Sequence, residues 1–408
     1  MRRLYTLALR LALPVILLRL WWRGRREPGY RDAVPERFGI YVGEIPPKLF
    51  WVHAVSVGEA RAAAPLVRAL KAALPDHEAL VTCTTATGRE TLKQVYGESV
   101  LAAYLPYDYP ESVQGFLEHF RPRLGVLMET ELWPNLLAGC ARHGVPVVLA
   151  SARMSEKSAR GYRRWRALMA PAIRSLAAVC AQSEADAARV RALGAPRVEV
   201  TGNLKFDVTL DAAQLAAGRE WRRKLGRPVV LLASMREGEE KILLENASGT
   251  MPFLTVVVPR HPQRFDEVAA LAQSRRTRNP VPGPGDHVHL GDTMGEMAFY
   301  YAACDVAVIG GSFAPLGGQN LIEALAAAAP VVVGPSMFNF AEATRLALEA
   351  GAAIQVPDAA AAMREASELL SNQEKRQRMS QAGKALCEAH RGATERHLAI
   401  CRNLLLGH

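Results

Sequence analysis

The sequence predicts an α/β protein made of two doubly wound units behind an apolar N-terminal segment. Three observations predict it. Strand-like apolar runs alternate with helical patterns along almost the whole chain. Most of those runs are continuously apolar, as parallel strands covered on both faces are. The alternation also restarts near residue 227, after a polar stretch. A chain of 408 residues, 50% hydrophobic and 22% charged, can build two ordinary cores and is not a disordered one.

The elements follow in order. Residues 4–22, LYTLALRLALPVILLRLWW, are almost wholly apolar, broken by Arg10 and Arg19 and followed by Arg23, Arg25 and Arg26. A full membrane span needs about 20 apolar residues, and Arg10 near its middle is costly there. Trp21 and Trp22 beside a basic cluster suit a membrane interface. Residues 1–26 are therefore expected to be an uncleaved membrane anchor, either a short span or a helix lying in the interface. The basic cluster would sit with anionic lipid headgroups on the cytoplasmic side. A buried helix of a soluble protein is the structural alternative.

Strands are expected at 49–57, 79–87, 124–130, 145–151 and 176–183, with helices between them. They form a first unit over residues 27–210. The stretch 207–226 reads as a hinge and a polar helix. A second unit, 211–385, is expected from strands at 227–234 and 253–259 and from the runs VHLGD, VAVIGGS and PVVVGP. RTRNPVPGPGDH (277–287) has the Gly/Pro density of a surface loop. One last helix is expected from about residue 360 to 406, and residues 386–408 can cross back to the first unit.

The net charge is +10, which points to anionic partners of some kind: nucleic acid, anionic lipid or acidic small molecules. Outside the N-terminal anchor, no aromatic-interleaved basic patch supports nucleic acid. The six cysteines form no CxxC pair and read as small buried hydrophobes in a reducing compartment. The ten histidines show no metal-binding spacing, so no metal and no cofactor are expected.

In open α/β sheets ligands bind beyond the carboxyl ends of the strands, so the strand ends carry the functional question. With two such units, the site is expected in the cleft between them. In GGSFAPLGGQNLIEALAAAAPVVVGP (310–335), glycines allow a close backbone approach and free N–H groups at the helix start favour phosphate. Glu323 there could accept from the two hydroxyls of a ribose. Arg260, at the end of TVVVPRHP, is the residue type that forks onto phosphate or carboxylate. Met294 and Gly295, in GDTMGEM, offer backbone groups to a base edge or a phosphate. Lys205, in TGNLKFD, could neutralise a phosphate or a leaving group. Glu129 and Glu131 alternate along METEL and share one face. The remaining question is Glu59 in HAVSVGE. Ser56-x-x-Glu59 has capping-box spacing, and a carboxylate beside Gly58 is also what a general base for a hydroxyl acceptor requires. Spacing alone supports both readings equally.

HAVSVGE, LPYD (105–108), METELWPN, GNLKFD, PRHP, GDTMGE, GGSFAPLGGQN and GPSMFNF occur in this order across nearly the whole chain. Together they resemble the transferases of 3-deoxy-D-manno-octulosonate (Kdo) in lipopolysaccharide assembly. The resemblance implies a glycosyltransferase-B fold, with two doubly wound Rossmann-like domains around a cleft and an N-terminal membrane-anchor helix. It implies transfer of Kdo from CMP-Kdo to the lipid A precursor, a tetraacylated disaccharide bisphosphate, at the cytoplasmic face of the inner membrane. Glu59 matches the family's proton acceptor. Glu129 and Lys205 match residues that support the transition state. Pro259 and Arg260, then Met294, Gly295 and Glu296, then Asn320, Leu321, Ile322 and Glu323 match the CMP-binding segments. Gln319 stands where many members carry His, so no role for a ring is carried over to that position. Two competing readings are a glycosyltransferase that uses a UDP-sugar and a different lipid acceptor, and a membrane-tethered nucleotide-binding module without catalysis.

Overall fold

The computed structural model describes residues 1–26, 28–247 and 253–406. The chain divides into two compact units. One is Met1–Asp207 together with Gly392–His408; the other is Val208–Arg391.

The first unit holds seven strands: β1 (Leu49–His53), β2 (Glu78–Cys83), β3 (Leu101–Tyr104), β4 (Leu124–Met128), β5 (Val147–Ala152), β6 (Ala178–Ala181) and β7 (Val198–Val200). They form one parallel sheet in the order β3-β2-β1-β4-β5-β6-β7. The strand order reverses between β1 and β4, which makes their carboxyl ends the expected ligand crevice. Both sheet faces are covered, and the side-chain alternation of the strands shows it. Phe50 and Val52 of β1 pack into one apolar layer, with Ala79, Val81, Val126 and Met128. Leu49 and Trp51 pack into the opposite layer, with Leu80, Phe116 and Leu127. Trp51 lies over Gly125 of β4, where a Cβ would come within 2.9 Å of the indole, so the ring holds its place only against glycine.

The second unit holds β8 (Val229–Met235), β9 (Leu254–Pro259), β10 (Ser274–Arg275), β11 (Val288–Leu290), β12 (Val306–Ile309), β13 (Val331–Val333) and β14 (Ala353–Gln355). These too are all parallel, in the order β10-β11-β9-β8-β12-β13-β14. The order reverses between β8 and β12, so the glycine-rich loop after β12 sits at the second unit's switch point.

Several expected elements change. The ten anticipated strands are present, mostly shorter than expected, and β3, β7, β10 and β14 join them as the four sheet edges. The long C-terminal helical stretch is three helices: Ala359–Ser371, Gln373–His390 and Ala393–Leu406. Asn372 breaks the first from the second and caps the second through the N–H of Lys375 at 2.9 Å. Gly392, in the left-handed region at φ 73°, breaks the second from the third. The third packs against the helix Val57–Ala73 in the first unit. Its N-terminus is held by Asp207, whose carboxylate accepts from the N–H groups of Gly392 at 2.9 Å and Thr394 at 2.7 Å.

Helix Arg2–Arg26 lies along the first unit. Tyr109 Oη donates to the carbonyl of Leu9 at 2.9 Å, and Thr6 exchanges hydrogen bonds with Asn135. Arg10 pairs with Glu111 at 3.1 Å. Near the other end Leu20 is buried, and Arg31 donates to the carbonyl of Trp21 at 3.5 Å. The outward face carries Leu4, Leu7, Leu11, Val15, Leu18 and Trp22, all exposed and spaced three or four residues apart.

Candidate active site

Glu59 begins with its local fold. β1 ends at His53, and helix Val57–Ala73 starts with Ser56 as N-cap, whose Oγ accepts from the Glu59 N–H at 3.3 Å. The carboxylate turns back. Oε2 accepts from the Val55 N–H at 2.9 Å, and Oε1 accepts from Ser56 Oγ at 3.1 Å. This is a capping box shifted by one residue, since a standard one would engage the N-cap's own N–H. The capping function is therefore real. Electrostatics add a second property. Burial, then the neighbouring charges of Glu129 and Glu131, outweigh the two hydrogen bonds and push the Glu59 carboxyl up to about 7.

Glu129 follows β4, on the other side of the switch point. Its backbone is left-handed, φ 57°, in a position where a non-glycine residue costs of order 1 kcal/mol or more. The Glu129 N–H donates to the carbonyl of Ala150 at 2.8 Å, which fixes the turn. Lys205 Nζ meets Glu129 Oε1 at 2.6 Å, and both side chains are largely shielded from water. Glu131 accepts from Trp133 Nε1 at 2.8 Å, and burial raises its carboxyl. The first unit thus places Glu59, Glu129, Glu131 and Lys205 at the carboxyl end of its sheet.

Behind Lys205 lies a buried polar network that the sequence did not announce. The Lys205 N–H donates to Asn203 Oδ1 at 2.9 Å, and Asn203 Nδ2 donates to Gln182 Oε1 at 3.0 Å. Gln182 Nε2 donates to the carbonyl of Ser151 at 2.8 Å. The Ser151 N–H donates to His397 Nε2 at 2.9 Å, while His397 Nδ1 lies 2.7 Å from the carbonyl of Ala393. Burial lowers His397 to about 4, so the ring is neutral, with its proton on Nδ1. Asp108 of LPYD is equally structural. It accepts from the N–H groups of Asn135 at 3.0 Å and Leu136 at 2.7 Å and so caps helix Pro134–Arg142 from outside.

In the second unit, a pocket of about 450 Å³ is lined by Pro259, Arg260, Met294, Gly295 and Glu323, among others. Arg260 follows β9, is exposed, and carries no ion pair among the described residues. Glu323 is raised by burial, against the opposing effects of an Asn320 hydrogen bond at 2.9 Å and the Arg260 charge. Asn320 also caps locally, its Oδ1 accepting from the Ile322 N–H at 3.0 Å. Leu321 and Ile322 bury their side chains in the core, which leaves their backbone as the part a ligand could meet. Glu296 is set apart from the pocket chemistry. Its carboxylate takes both arms of Arg276, at 2.7 and 3.0 Å, and the Thr293 hydroxyl at 2.5 Å.

The glycine-rich loop departs from expectation. Gly317 and Gly318 are left-handed, at φ 84° and 73°. Its N–H groups are nevertheless largely bonded within the protein. Buried Glu239 accepts from Gly311 at 2.6 Å, from Phe313 at 2.9 Å and from Arg236 at 2.9 Å. Gly317 donates to Ser336 Oγ at 3.1 Å, Gly318 to the carbonyl of Gly311 at 2.8 Å, and Gln319 to that of Gly310 at 2.9 Å. The glycines shape the turn, and these five loop N–H groups are bonded within the protein.

Residues 32–208 match the family model of 3-deoxy-D-manno-octulosonic-acid transferase (kdotransferase), and residues 283–386 match that of glycosyl transferases group 1. The 3-deoxy-D-manno-octulosonic acid transferase of Bordetella pertussis is 48% identical over 421 residues, covering 97% of this chain and 98% of its own. That of Haemophilus influenzae is 36% identical, covering 99% of each chain. Among solved structures, MurG of Acinetobacter baumannii superimposes with a TM-score of 0.55 at 12% identity, over 88% of this chain and 100% of its own. The UDP-GlcNAc 2-epimerase of Neisseria meningitidis reaches 0.51 at 17% identity, over 88% and 100%. These two likenesses bear on the fold alone, the glycosyltransferase-B architecture of two Rossmann-like units. With the first unit matching one family model and two relatives aligned end to end, the chain belongs to the 3-deoxy-D-manno-octulosonic-acid transferase family and is a Kdo transferase.

Proposed function

We propose that this enzyme moves Kdo from CMP-Kdo to the lipid A precursor, a tetraacylated glucosamine disaccharide bisphosphate, by direct inverting displacement with Glu59 as general base. The observation that carries the proposal is Glu59 itself, a carboxylate poised near neutrality at a strand end. A base whose pKa lies close to the working pH accepts a proton most effectively while a bond forms. The acceptor 6′-hydroxyl oxygen bonds to the anomeric carbon of Kdo as the bond to the CMP phosphate breaks. The hydroxyl proton passes to Glu59, and CMP departs as a phosphate anion. Lys205, oriented by Glu129 at 2.6 Å, contributes positive charge to the transition state. Arg260 and the backbone around Met294 and Gly295 hold the CMP phosphate and base, and Glu323 with Asn320 faces the ribose. Pro259, Glu296, Leu321 and Ile322 shape that donor pocket.

The basic chain suits a donor with a carboxylate and a phosphate and an acceptor with two phosphates. The two-faced N-terminal helix supports attachment to the inner membrane from the cytoplasmic side, lying in the interface. One experiment tests the core of this reading. CMP-Kdo and the tetraacyl acceptor are supplied to detergent-solubilised enzyme, and the lipid product is weighed by mass spectrometry. A gain of one or more Kdo units is expected, with the rate lowered about 10²- to 10⁴-fold in Glu59→Ala. Near-full transfer by a folded Glu59→Ala enzyme would reduce Glu59 to its cap.

A further inference from the structure

A groove in the first unit takes no part in the chemistry above. It has a volume of about 690 Å³ and lies between the start of helix Arg2–Arg26 and the helices Glu156–Arg164 and Arg166–Arg174. Leu4, Tyr5 and Ala8 form one wall; Tyr162, Trp165 and Met169 form the other. Gly161 opens onto it, and a Cβ built there meets no heavy atom within 4 Å. One end reaches the catalytic loop. Tyr162 Oη donates to the carbonyl of Thr130 at 3.5 Å, and Thr130 stands between Glu129 and Glu131.

The rim is cationic. On helix Glu156–Arg164 the groove-lining residues Ser158, Gly161 and Tyr162 share one side, and Lys157, Arg160 and Arg164 fall on the adjoining side at i, i+3 and i+7. These three are exposed and carry no ion pair among the described residues. Their neighbour Arg163 is held by Glu156 at 3.1 Å. An apolar trough bordered by cations suits an amphipathic ligand. Unpaired cations along its edge select a ligand with an apolar chain and an anionic head. A nucleotide would instead want polar groups within the trough.

We propose that this groove holds an acyl chain of the lipid acceptor while Lys157, Arg160 and Arg164 receive its phosphate. The proposal rests on the acceptor reading above and deepens it. A bilayer phospholipid has the same chemistry, but the Tyr162–Thr130 link, which ends the groove at the Glu129 loop, favours the reacting lipid. The N-terminal helix then becomes a wall of the substrate site as well as a membrane contact.

Gly161→Phe tests this, because Gly161 lines the groove, a Cβ there meets no heavy atom within 4 Å, and the added ring takes up groove space. Transfer is measured in detergent micelles with the tetraacylated disaccharide bisphosphate and with its fully deacylated form. Wild-type enzyme should show the lower KM for the acylated acceptor, and Gly161→Phe should raise that KM about tenfold, with kcat and the deacylated reaction unchanged. An unchanged KM for the acylated acceptor overturns the proposal. So does equal loss with both acceptors, or a wild-type enzyme indifferent to acylation, and in each case the acceptor reading survives. Transfer to neither acceptor by wild type overturns both. If Gly161→Phe weakens only pelleting with phosphatidylglycerol vesicles, the groove belongs to bilayer lipid and the proposal fails.

Discussion

At the scale of single residues, Glu59 joins a structural device to the proposed catalytic one in a single side chain. Its carboxylate satisfies two donors at the start of a helix and still rests near a pKa of 7. The sign of the consequence follows from linkage. A carboxyl raised from about 4.5 to about 7 keeps its proton in the folded state after the unfolded chain has lost it. Stability therefore falls as pH rises through that window, and above pH 7 the ionised, half-buried group destabilises the protein by up to about 3 kcal/mol. Glu59→Gln keeps an acceptor for the Val55 N–H and removes the charge. It is expected to raise the melting temperature at pH 8, to leave it nearly unchanged at pH 4.5, and to abolish most transfer. The wild-type rate should climb with pH and level off above about 7. A variant less stable at pH 8 than at pH 4.5, relative to wild type, would mean that the cap outweighs the charge.

At the scale of elements, buried side chains decide what the glycine-rich loop can do. Glu239 accepts three backbone N–H groups, two of them from that loop, and is itself 2% exposed. Glu239→Ala should cost about 2–4 kcal/mol, since it leaves one buried and two part-buried donors without their acceptor. Glu239→Gln should cost less. Urea unfolding would measure both, and a loss below about 1 kcal/mol for the alanine variant would show that the loop satisfies its donors in another way. This clamp was invisible in the sequence, where EGEEK reads only as the start of a helix. The strands show the same boundary of legibility. The central strands announced themselves through largely apolar runs, because both their faces are covered. The four edges did not. β10 is only Ser274–Arg275, and β7 and β14 are three residues each, with exposed positions, because an edge pairs on one side alone. Among the candidate site residues, Glu59, Glu129 and Lys205 could be placed at strand ends from sequence. Their mutual geometry depends on backbone that the sequence does not mark, such as the left-handed Glu129 and the Ser151–His397 support.

At the scale of the whole molecule, the N-terminal helix meets an enzyme whose proposed acceptor cannot leave the bilayer. Its 24-residue segment Arg2–Arg25 is long and apolar enough to cross a membrane by length and composition. Its packing argues for a different use. Bonds at Thr6, Leu9 and Arg10, with Leu20 buried farther along, seat one face against the first unit. A spanning helix would meet lipid around its whole circumference, whereas this one turns the face of Tyr5, Thr6, Leu9 and Leu20 to the first unit and leaves the opposite face open. Leu11, Val15 and Leu18 lie at the middle of that open face, 75%, 67% and 63% exposed, so replacing them removes no core contact. The triple variant Leu11→Asp, Val15→Asp, Leu18→Asp should therefore fold normally. It should lose vesicle binding by about 100-fold or more, because each large apolar side chain contributes roughly 1.5–3 kcal/mol when fully withdrawn from water. Sedimentation with phosphatidylglycerol–phosphatidylethanolamine vesicles would measure the loss. Alkaline carbonate should release the wild-type enzyme from those vesicles, as it releases proteins held at the interface. Retention of wild type after carbonate would mean that the helix leaves its seat and spans. Unchanged sedimentation of the triple variant would place the membrane contact elsewhere on this basic surface.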